Sequence, residues 1–351
     1  MFFNAPDNKK KETILPFFLP YAGCKQRCIF CAQEKQTGIK TLKPFNLKDE
    51  TQRLDIFLSA YQKKTQTLKN KNVELAFYGG TFTALPNEAQ LALLKTTQKY
   101  HNNVENGFLS NIRCSTRPDS IEKDWLITLK SFGLSMIELG IQSFSDEVLN
   151  AVRRGYSAKQ AISACEIVKN SGLNLGIQLL PNLPRQTPTM FLNDLDWVKR
   201  LKPKSLRLYP CQVIKGAELE TVWQKKEFKI WNLPLITILF SQAQLMAWEN
   251  KITIIRMGLS PEPELEKATI AGLNHPALGQ IIRSQALLAF ISQKIIYYKA
   301  LHKSKINKIF IPKRYQGELF GHANKLEAIY QTLGITRCKI KFWQNNFFML
   351  N

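Results

Sequence analysis

The stretch GCKQRCIFCAQ, residues 23–33, contains three of the seven cysteines of this 351-residue chain. Cys24, Cys28 and Cys31 have the spacing C-x3-C-x2-C, and thiols at this density favour a metal-binding loop. A structural zinc ion would need a fourth Cys or His ligand, and none follows before His101. A [4Fe–4S] cluster normally takes four thiolates, so three would leave one iron open to a small molecule. Zinc remains the alternative at this point.

The chain around this loop alternates short apolar runs with amphipathic segments. The strand candidates are ILPFFL (14–19), VELAFY (73–78), SNIRCS (110–115), SMIELGIQ (135–142), LNLGIQLL (173–180) and SLRLYP (205–210). Helix candidates between them predict a parallel sheet with right-handed crossovers. Six units are too few to close an eight-unit barrel. We therefore predict an α/β fold with an open (β/α)6 partial TIM barrel, whose ligands bind at the carboxyl ends of the strands.

Two of the predicted helices begin with a capping signal. Asn87 with Gln90, and Ser157 with Gln160, each fit an N-cap residue followed three positions later by its capping-box partner. Gly172 follows the second of these helices, where a C-terminal glycine is expected. We therefore expect helices to begin at these two positions.

The cysteine loop, with the aromatic Phe30 before its third cysteine, resembles the cluster motif of the radical S-adenosylmethionine (SAM) enzymes. In that family three cysteines hold a [4Fe–4S] cluster, and SAM chelates the open iron. The reduced cluster cleaves SAM to methionine and a 5′-deoxyadenosyl radical, which abstracts a hydrogen atom from the substrate. The resemblance implies that Cys24, Cys28 and Cys31 are the metal ligands. It also implies an electron donor such as flavodoxin or ferredoxin.

Further residues at the strand ends extend the resemblance to SAM binding. Gly79, Gly80 and Thr81 resemble the glycine motif that meets the SAM amino group. Ser115 shares a rim with Arg117 and stands where relatives often carry Glu. The other implied SAM contacts are Phe30 beside the cluster, Gln142 at the ribose, Arg154 at the carboxylate and Gln178 near the adenosine. The alternative for Arg154 is a solvated arginine at a helix start, with Arg153 in its place.

Several segments place the chain near one branch of this family. FYGGTFTALP, STRPDS and RRGYS resemble the Elongator catalytic subunit, although Tyr156 stands where that group usually has His. The same branch contains oxygen-independent coproporphyrinogen oxidase. RLYPCQVIKGAEL and IIRMGLS resemble a bacterial Elongator-related group. No segment resembles the acetyl-CoA-binding loop, so we expect no acetyltransferase domain and no acetyl transfer.

The charge and the C-terminal pattern suggest a nucleic-acid partner. A net charge of +22 favours phosphate-rich partners, although compositional drift is an equal alternative. The tail has the order β-α-turn-α-β-β and resembles a degenerate KH-like fold from about residue 305. Its loop GHAN (321–324) lacks the final glycine, and a small α+β cap is the alternative. We divide the chain into a radical SAM core with a helical extension (1–250) and a basic α+β region (251–351).

These observations predict a radical SAM enzyme that acts on RNA, with tRNA as the expected substrate. The alternatives are a small-molecule oxidase of the tetrapyrrole type and a non-catalytic, cluster-bearing RNA-binding protein. The longest apolar run is too short to span a membrane. In MFFNAPDNKKKE (1–12) the charges follow the apolar residues, so we do not expect a secretory signal. An odd number of cysteines argues against a disulfide framework. We therefore expect a cytoplasmic protein with no membrane partner.

Overall fold

The computed structural model describes residues 1–7, 13–39, 44–65, 73–259, 262–303 and 306–351. The chain forms two units, each built from separate segments. One contains Met1–Lys9, Trp231–Gly258 and Leu273–Asn351, and the larger one contains Lys10–Ile230 and Leu259–Gly272. Within the described residues, no helix is both long enough and apolar enough to cross a membrane.

Strands and helices are numbered here in chain order. The strands are β1 (Phe2–Asn4), β2 (Thr13–Leu19), β3 (Val73–Gly79), β4 (Leu109–Thr116), β5 (Leu134–Gln142), β6 (Asn174–Leu179), β7 (Ser205–Leu208), β8 (Val213–Ile214), β9 (Thr253–Met257), β10 (Thr269–Ala271), β11 (Ile309–Pro312), β12 (Ile340–Trp343) and β13 (Phe347–Leu350). The helices are α1 (Gln33–Thr37), α2 (Leu47–Thr65), α3 (Asn87–Thr97), α4 (Lys123–Ser131), α5 (Asp146–Ala151), α6 (Ala158–Asn170), α7 (Pro188–Leu201), α8 (Leu219–Gln224), α9 (Leu233–Glu249), α10 (Pro263–Ala268), α11 (Leu278–His302) and α12 (Glu327–Thr332).

The larger unit contributes six parallel strands in the order β2-β3-β4-β5-β6-β7. They coincide with the six strand candidates, and helices lie between successive strands. β5 is buried along nearly its whole length, as expected for a parallel strand that is covered on both faces. The predicted open α/β partial barrel is therefore confirmed. The residues that follow each strand meet at one edge of the sheet.

The other unit has a four-stranded mixed sheet of order β1-β13-β11-β12. β11 runs parallel to β12 and antiparallel to β13, and β1 runs antiparallel to β13. One face of this sheet packs with α11 in a core that includes Ile291, Ile309 and Phe348. The first helix in the predicted tail order β-α-turn-α-β-β corresponds to YQGELF (315–320), but residues 316–320 form turns. Gly317 lies in the middle of this segment and disfavours a helix there.

The two capping predictions had different outcomes. Ser157 caps α6, and its hydroxyl and the Gln160 side chain form the predicted capping box. Asn87 is wrong as an N-cap, because Pro86 holds that position and Asn87 is already helical. The Gln90 side chain is buried and donates to the Leu85 carbonyl at 2.7 Å instead of reaching back to Asn87.

Candidate functional site

The cysteine loop follows β2, and two hydrogen bonds between Tyr21 and Gln33 join its two ends. The Tyr21 amide donates to the Gln33 side chain at 2.5 Å, and the Gln33 amide donates to the Tyr21 hydroxyl at 2.8 Å. Within the loop, the Cys24 amide bonds to the Tyr21 carbonyl, and the Cys31 amide bonds to the Cys28 carbonyl. These bonds hold all three cysteines between two mutually bonded residues.

The loop after β3 rests directly on the cysteine loop. A Cβ atom at Gly80 would lie 2.0 Å from the Ala22 carbonyl oxygen, so only glycine fits there. The Thr81 amide donates to that same oxygen at 2.7 Å. The Thr81 hydroxyl also lies 3.3 Å from Cys24 Sγ. The structure thus brings the predicted glycine motif to the cysteines, and Gly79, with a φ of 106°, ends β3 directly before Gly80.

Arg154 lies beneath the cysteine loop and is only 4% exposed. Its Nη1 donates to Cys28 Sγ at 2.9 Å and its Nη2 to the Gly140 carbonyl at 2.5 Å. Within the described parts of the chain, no carboxylate forms an ion pair with this guanidinium. The alternative of a solvated arginine is wrong for Arg154, whereas the exposed Arg153 pairs with Glu218.

Two neighbours of Arg154 were given no role from the sequence. The Tyr156 hydroxyl accepts from Arg154 Nε at 2.8 Å and lies 2.9 Å from the Gly140 carbonyl oxygen. Arg117 is paired with Asp119, and its Nη1 lies 3.8 Å from Cys28 Sγ. Tyr156 stands two positions after Arg154, and Arg117 directly follows the end of β4. These positions were the signals by which the sequence could have indicated the two residues. A paired guanidinium and a buried phenol therefore accompany Arg154 and Cys28 at the cysteine end of the sheet.

The remaining predicted SAM contacts lie at the same sheet edge or close to it. Gln142 ends β5 with a φ of 71° and is 6% exposed. Its Oε1 is buried and is without a hydrogen-bond partner in the described structure. Ser115 on β4 and Gln178 on β6 are half-buried, and both lie opposite β5 residues in register. Phe30 is half-buried and packs on a core cluster that contains Ile29.

Asp194 on α7 supports the end of β5, and no motif in the sequence marks it as a site residue. It is 1% exposed and accepts hydrogen bonds from the Phe144 amide at 2.6 Å, the Ser143 hydroxyl and the Gln186 side chain. Burial raises the pKa of Asp194 to about 7, against the lowering effect of these hydrogen bonds. Because Ser143 directly follows Gln142, this carboxyl group fixes the backbone that carries Gln142.

The donor set fits an iron–sulfur cluster. Burial raises the pKa of Cys24, and it raises the pKa of Cys31 to about 12, so both remain thiols near neutral pH until a metal replaces the proton. In the described parts of the chain, no three His, Cys, Asp or Glu side chains gather around one point as a single ion requires. In a [4Fe–4S] cluster each thiolate binds a different iron, so the cluster requires no such gathering.

A cavity of about 180 Å³ opens beside the cysteine loop. Its lining is polar and includes both charges of the Arg117–Asp119 pair. The lining residues are Gly23, Lys25, Gln26, Arg117, Asp119, Ser120 and Gly155. The open space therefore lies between the first part of the cysteine loop, residues 23–26, and the Arg117–Asp119 pair.

Inside the sheet, below this end, four buried charged residues form a network. Arg113 contacts Glu74 and lies 2.7 Å from Glu138, and Arg207 Nε lies 2.7 Å from the second oxygen of Glu138. The Tyr78 hydroxyl also donates to Glu138 at 2.9 Å. The positive charges of the two arginines and the negative charges of the two glutamates cancel within this network.

Comparison with known proteins places this geometry in a family. A model described as the Radical SAM superfamily matches residues 18–198, over half of the chain, and a Radical SAM C-terminal domain model matches residues 203–287. A tRNA uridine(34) acetyltransferase from Methanocaldococcus infernus is 30% identical over 174 residues, covering 45% of this chain and 33% of that protein. Elongator complex protein 3 from Mus musculus is 25% identical, covering 58% of this chain and 43% of that protein. The chain thus spans less than half the length of these relatives.

The solved structure of the archaeal Elp3 from Methanocaldococcus infernus has the same fold. It matches with a TM-score of 0.57 and 22% identity, over 69% of this chain and 59% of that one. The family match covers the cysteine loop and every strand end at which we found a predicted site residue. The resemblance to the Elongator-like branch is confirmed by these relatives. The chain belongs to the radical SAM superfamily of enzymes.

Proposed function

We propose that Cys24, Cys28 and Cys31 hold a [4Fe–4S] cluster and that SAM binds at the open iron. A bound cluster supplies the electron that cleaves SAM reductively, leaving a 5′-deoxyadenosyl radical. The observation that carries the proposal is the position of Arg154. A buried guanidinium without a carboxylate partner in the described structure favours an anion beside it. The SAM carboxylate is such an anion.

The protein's own residues bind and orient the cosubstrate in this proposal. Arg154 pairs with the carboxylate in a bidentate arrangement that suits guanidinium chemistry. Gln142 offers its unpartnered Oε1 to a ribose hydroxyl. Gly79, Gly80 and Thr81 bring backbone groups close to the amino group, and Ser115 and Gln178 lie nearer the nucleoside. Because Asp194 holds the backbone after Gln142, the ribose contact is fixed before SAM binds.

We also propose that the substrate attacked by the radical is RNA, and tRNA in particular. The net charge of +22 and relatives that are named for tRNA uridine(34) modification support this choice. Acetyl transfer is not part of the proposal. The electron would come from a small donor protein such as flavodoxin or ferredoxin.

The first experiment uses protein reconstituted without oxygen. It should contain about four irons per chain and form 5′-deoxyadenosine from SAM when dithionite is added. Protein that binds one zinc ion and leaves SAM intact would overturn the cluster and SAM proposal.

The second experiment tests the substrate. Modified nucleosides in tRNA from cells with and without the gene should differ in at least one species. Unchanged tRNA, together with intact SAM cleavage, would remove tRNA from the proposal and leave the radical chemistry standing.

A further inference from the structure

The mixed sheet β1-β13-β11-β12 has two unlike faces. Side chains alternate between the faces of a strand, and Phe3, Ile309 and Phe348 point into the core. Their neighbours along the strands therefore lie on the opposite face. These are Phe2 on β1, Phe347 on β13, Phe310 on β11 and Trp343 on β12. We call this set the aromatic face.

The four rings of the aromatic face form a connected row across all four strands. The ring centroids of Phe2 and Phe347 are 5.6 Å apart, those of Phe347 and Trp343 are 4.8 Å apart, and those of Trp343 and Phe310 are 5.0 Å apart. Phe2 is 68% exposed, and the other three are half-buried against one another. Trp343 Nε1 donates to the Phe347 carbonyl at 2.8 Å, which fixes the indole. Contiguous apolar surface that is exposed on a protein can mark an interaction site.

The charges on this sheet indicate which partner would cover it. Lys308 and Lys341 are exposed and lie on the aromatic face, since they alternate with core residues on β12 and just before β11. Segments 1–4, 306–316 and 335–351 contain no Asp or Glu, although they include all four strands. An apolar face that carries only positive charge is suited to a ligand with flat rings and phosphates.

We propose that the aromatic face binds a single-stranded segment of RNA, with bases on the rings and phosphates near Lys308 and Lys341. Stacking of bases on exposed aromatic residues of a sheet is a common way to hold unpaired RNA. The choice of RNA rests on the proposed function, whereas the surface itself does not depend on radical chemistry. This site does not use the loop Gly321–Asn324, which the KH-like resemblance would have predicted.

The test measures binding of a labelled 12-nucleotide oligouridine to the full chain without a tag, because Met1 and Asn351 both bond to this sheet. Phe2→Ala and Trp343→Leu should each weaken binding by about 5-fold to 100-fold, since stacking on an aromatic residue is worth that much per base. Phe2 is so exposed that its variant should fold normally. The matched control is Tyr297→Ala on α11, an aromatic residue that is 61% exposed, and it should bind like the parent chain.

The lysines give a second readout. Lys341→Gln should lower the slope of binding against salt by about 0.7, the loss of one contact to a single strand. Lys325→Gln, next to the 321–324 loop, should leave the slope unchanged. Weaker binding in Lys325→Gln together with normal binding in Phe2→Ala would overturn the proposal in favour of the loop.

Further measurements complete the test. Ultraviolet cross-linking to oligo-5-bromouridine should mark residues of the aromatic face. A matched RNA duplex that binds as well as the single strand would contradict stacking. A dimer that Phe2→Ala converts to monomer, with no change in RNA binding, would show that a second copy covers the face.

Formation of 5′-deoxyadenosine without RNA should be equal in all variants, so failure of SAM cleavage and failure of RNA binding can be told apart.

Discussion

The interior of the parallel sheet and its cysteine-bearing end each contain a buried arginine, but the two are neutralised differently. Arg113, in the interior, contacts both Glu74 and Glu138. Arg154, at the cysteine end, contacts a thiol, a phenol and a carbonyl group. Both side chains are almost fully buried. The first charge is therefore balanced by two carboxylates of the protein, whereas the second has no carboxylate partner within the described residues.

This difference predicts that Arg113 contributes to stability and that Arg154 contributes to ligand binding. Removing one partner from a buried ion network leaves an uncompensated charge, which costs about 3–5 kcal/mol. A buried cation that has no carboxylate beside it in the described residues gains from binding an anion. We therefore expect substitutions in the interior to reduce stability, and substitutions at the cysteine end to reduce ligand binding.

The largest effect should come from the cysteines themselves. Cys28→Ala removes the thiol next to Arg154 and should abolish both the cluster absorbance and SAM cleavage, because one iron loses its thiolate. The control is Cys338→Ala, which removes an exposed thiol in the other unit and should leave both unchanged. A Cys28→Ala protein that still holds about four irons and cleaves SAM would remove Cys28 from the ligand set.

The next effect tests the interior. Arg113→Met leaves two buried glutamates facing one arginine, so the free energy of unfolding should fall by about 3–5 kcal/mol. Urea unfolding of the cluster-free chain would measure this change. A loss below about 1 kcal/mol would mean that the network tolerates an unbalanced charge and that the comparison with Arg154 fails.

Methionine in place of Arg154 should have the opposite effects, namely a small change in stability and a large loss of SAM affinity. In Arg154→Met the Gly140 carbonyl stays bonded to the Tyr156 hydroxyl, and Arg117 Nη1 still lies 3.8 Å from Cys28 Sγ, so the Tyr156 oxygen is the acceptor that loses its donor. We expect a stability change within about 1 kcal/mol. The dissociation constant for SAM should rise by at least about 30-fold, since a buried charge pair is lost. Normal SAM affinity, or a stability loss equal to that of Arg113→Met, would contradict this assignment.

The sequence predicted those features that depend on short-range patterns. Each of the six strands is an apolar run bounded by turn residues, so its position could be read directly. The site residues Gln142 and Arg154 were found through a family resemblance at strand ends. Arg154 burial, however, results from Tyr156 and Gly140 folding around it, and Asp194 reaches the Phe144 amide from 50 residues away. Such contacts depend on tertiary packing, which local spacing does not encode.

The smallest effect concerns Asp194 and its dependence on pH. The pKa of this carboxyl group is raised to about 7 in the folded chain, chiefly by burial. The folded state therefore keeps a proton that the unfolded state has already released, and the stability due to this group is lost as the pH rises towards 7. Asp194→Asn removes this titration. The stability of the parent chain relative to the variant should fall by roughly 2 kcal/mol between about pH 5.5 and about pH 8.

Urea unfolding of the cluster-free chain at the two pH values would measure this difference. Asp196→Asn, an exposed acid on the same helix, is the matched control and should give a difference close to zero. Because Asp194 holds the backbone beside Gln142, Asp194→Asn should also raise the dissociation constant for SAM, while Asp196→Asn should not. A parent chain whose stability relative to Asp194→Asn rises with pH would mean that the hydrogen bonds from Phe144, Ser143 and Gln186 outweigh burial. In that case the carboxyl group would be ionised throughout, and Gln142 would be positioned by a permanent negative charge.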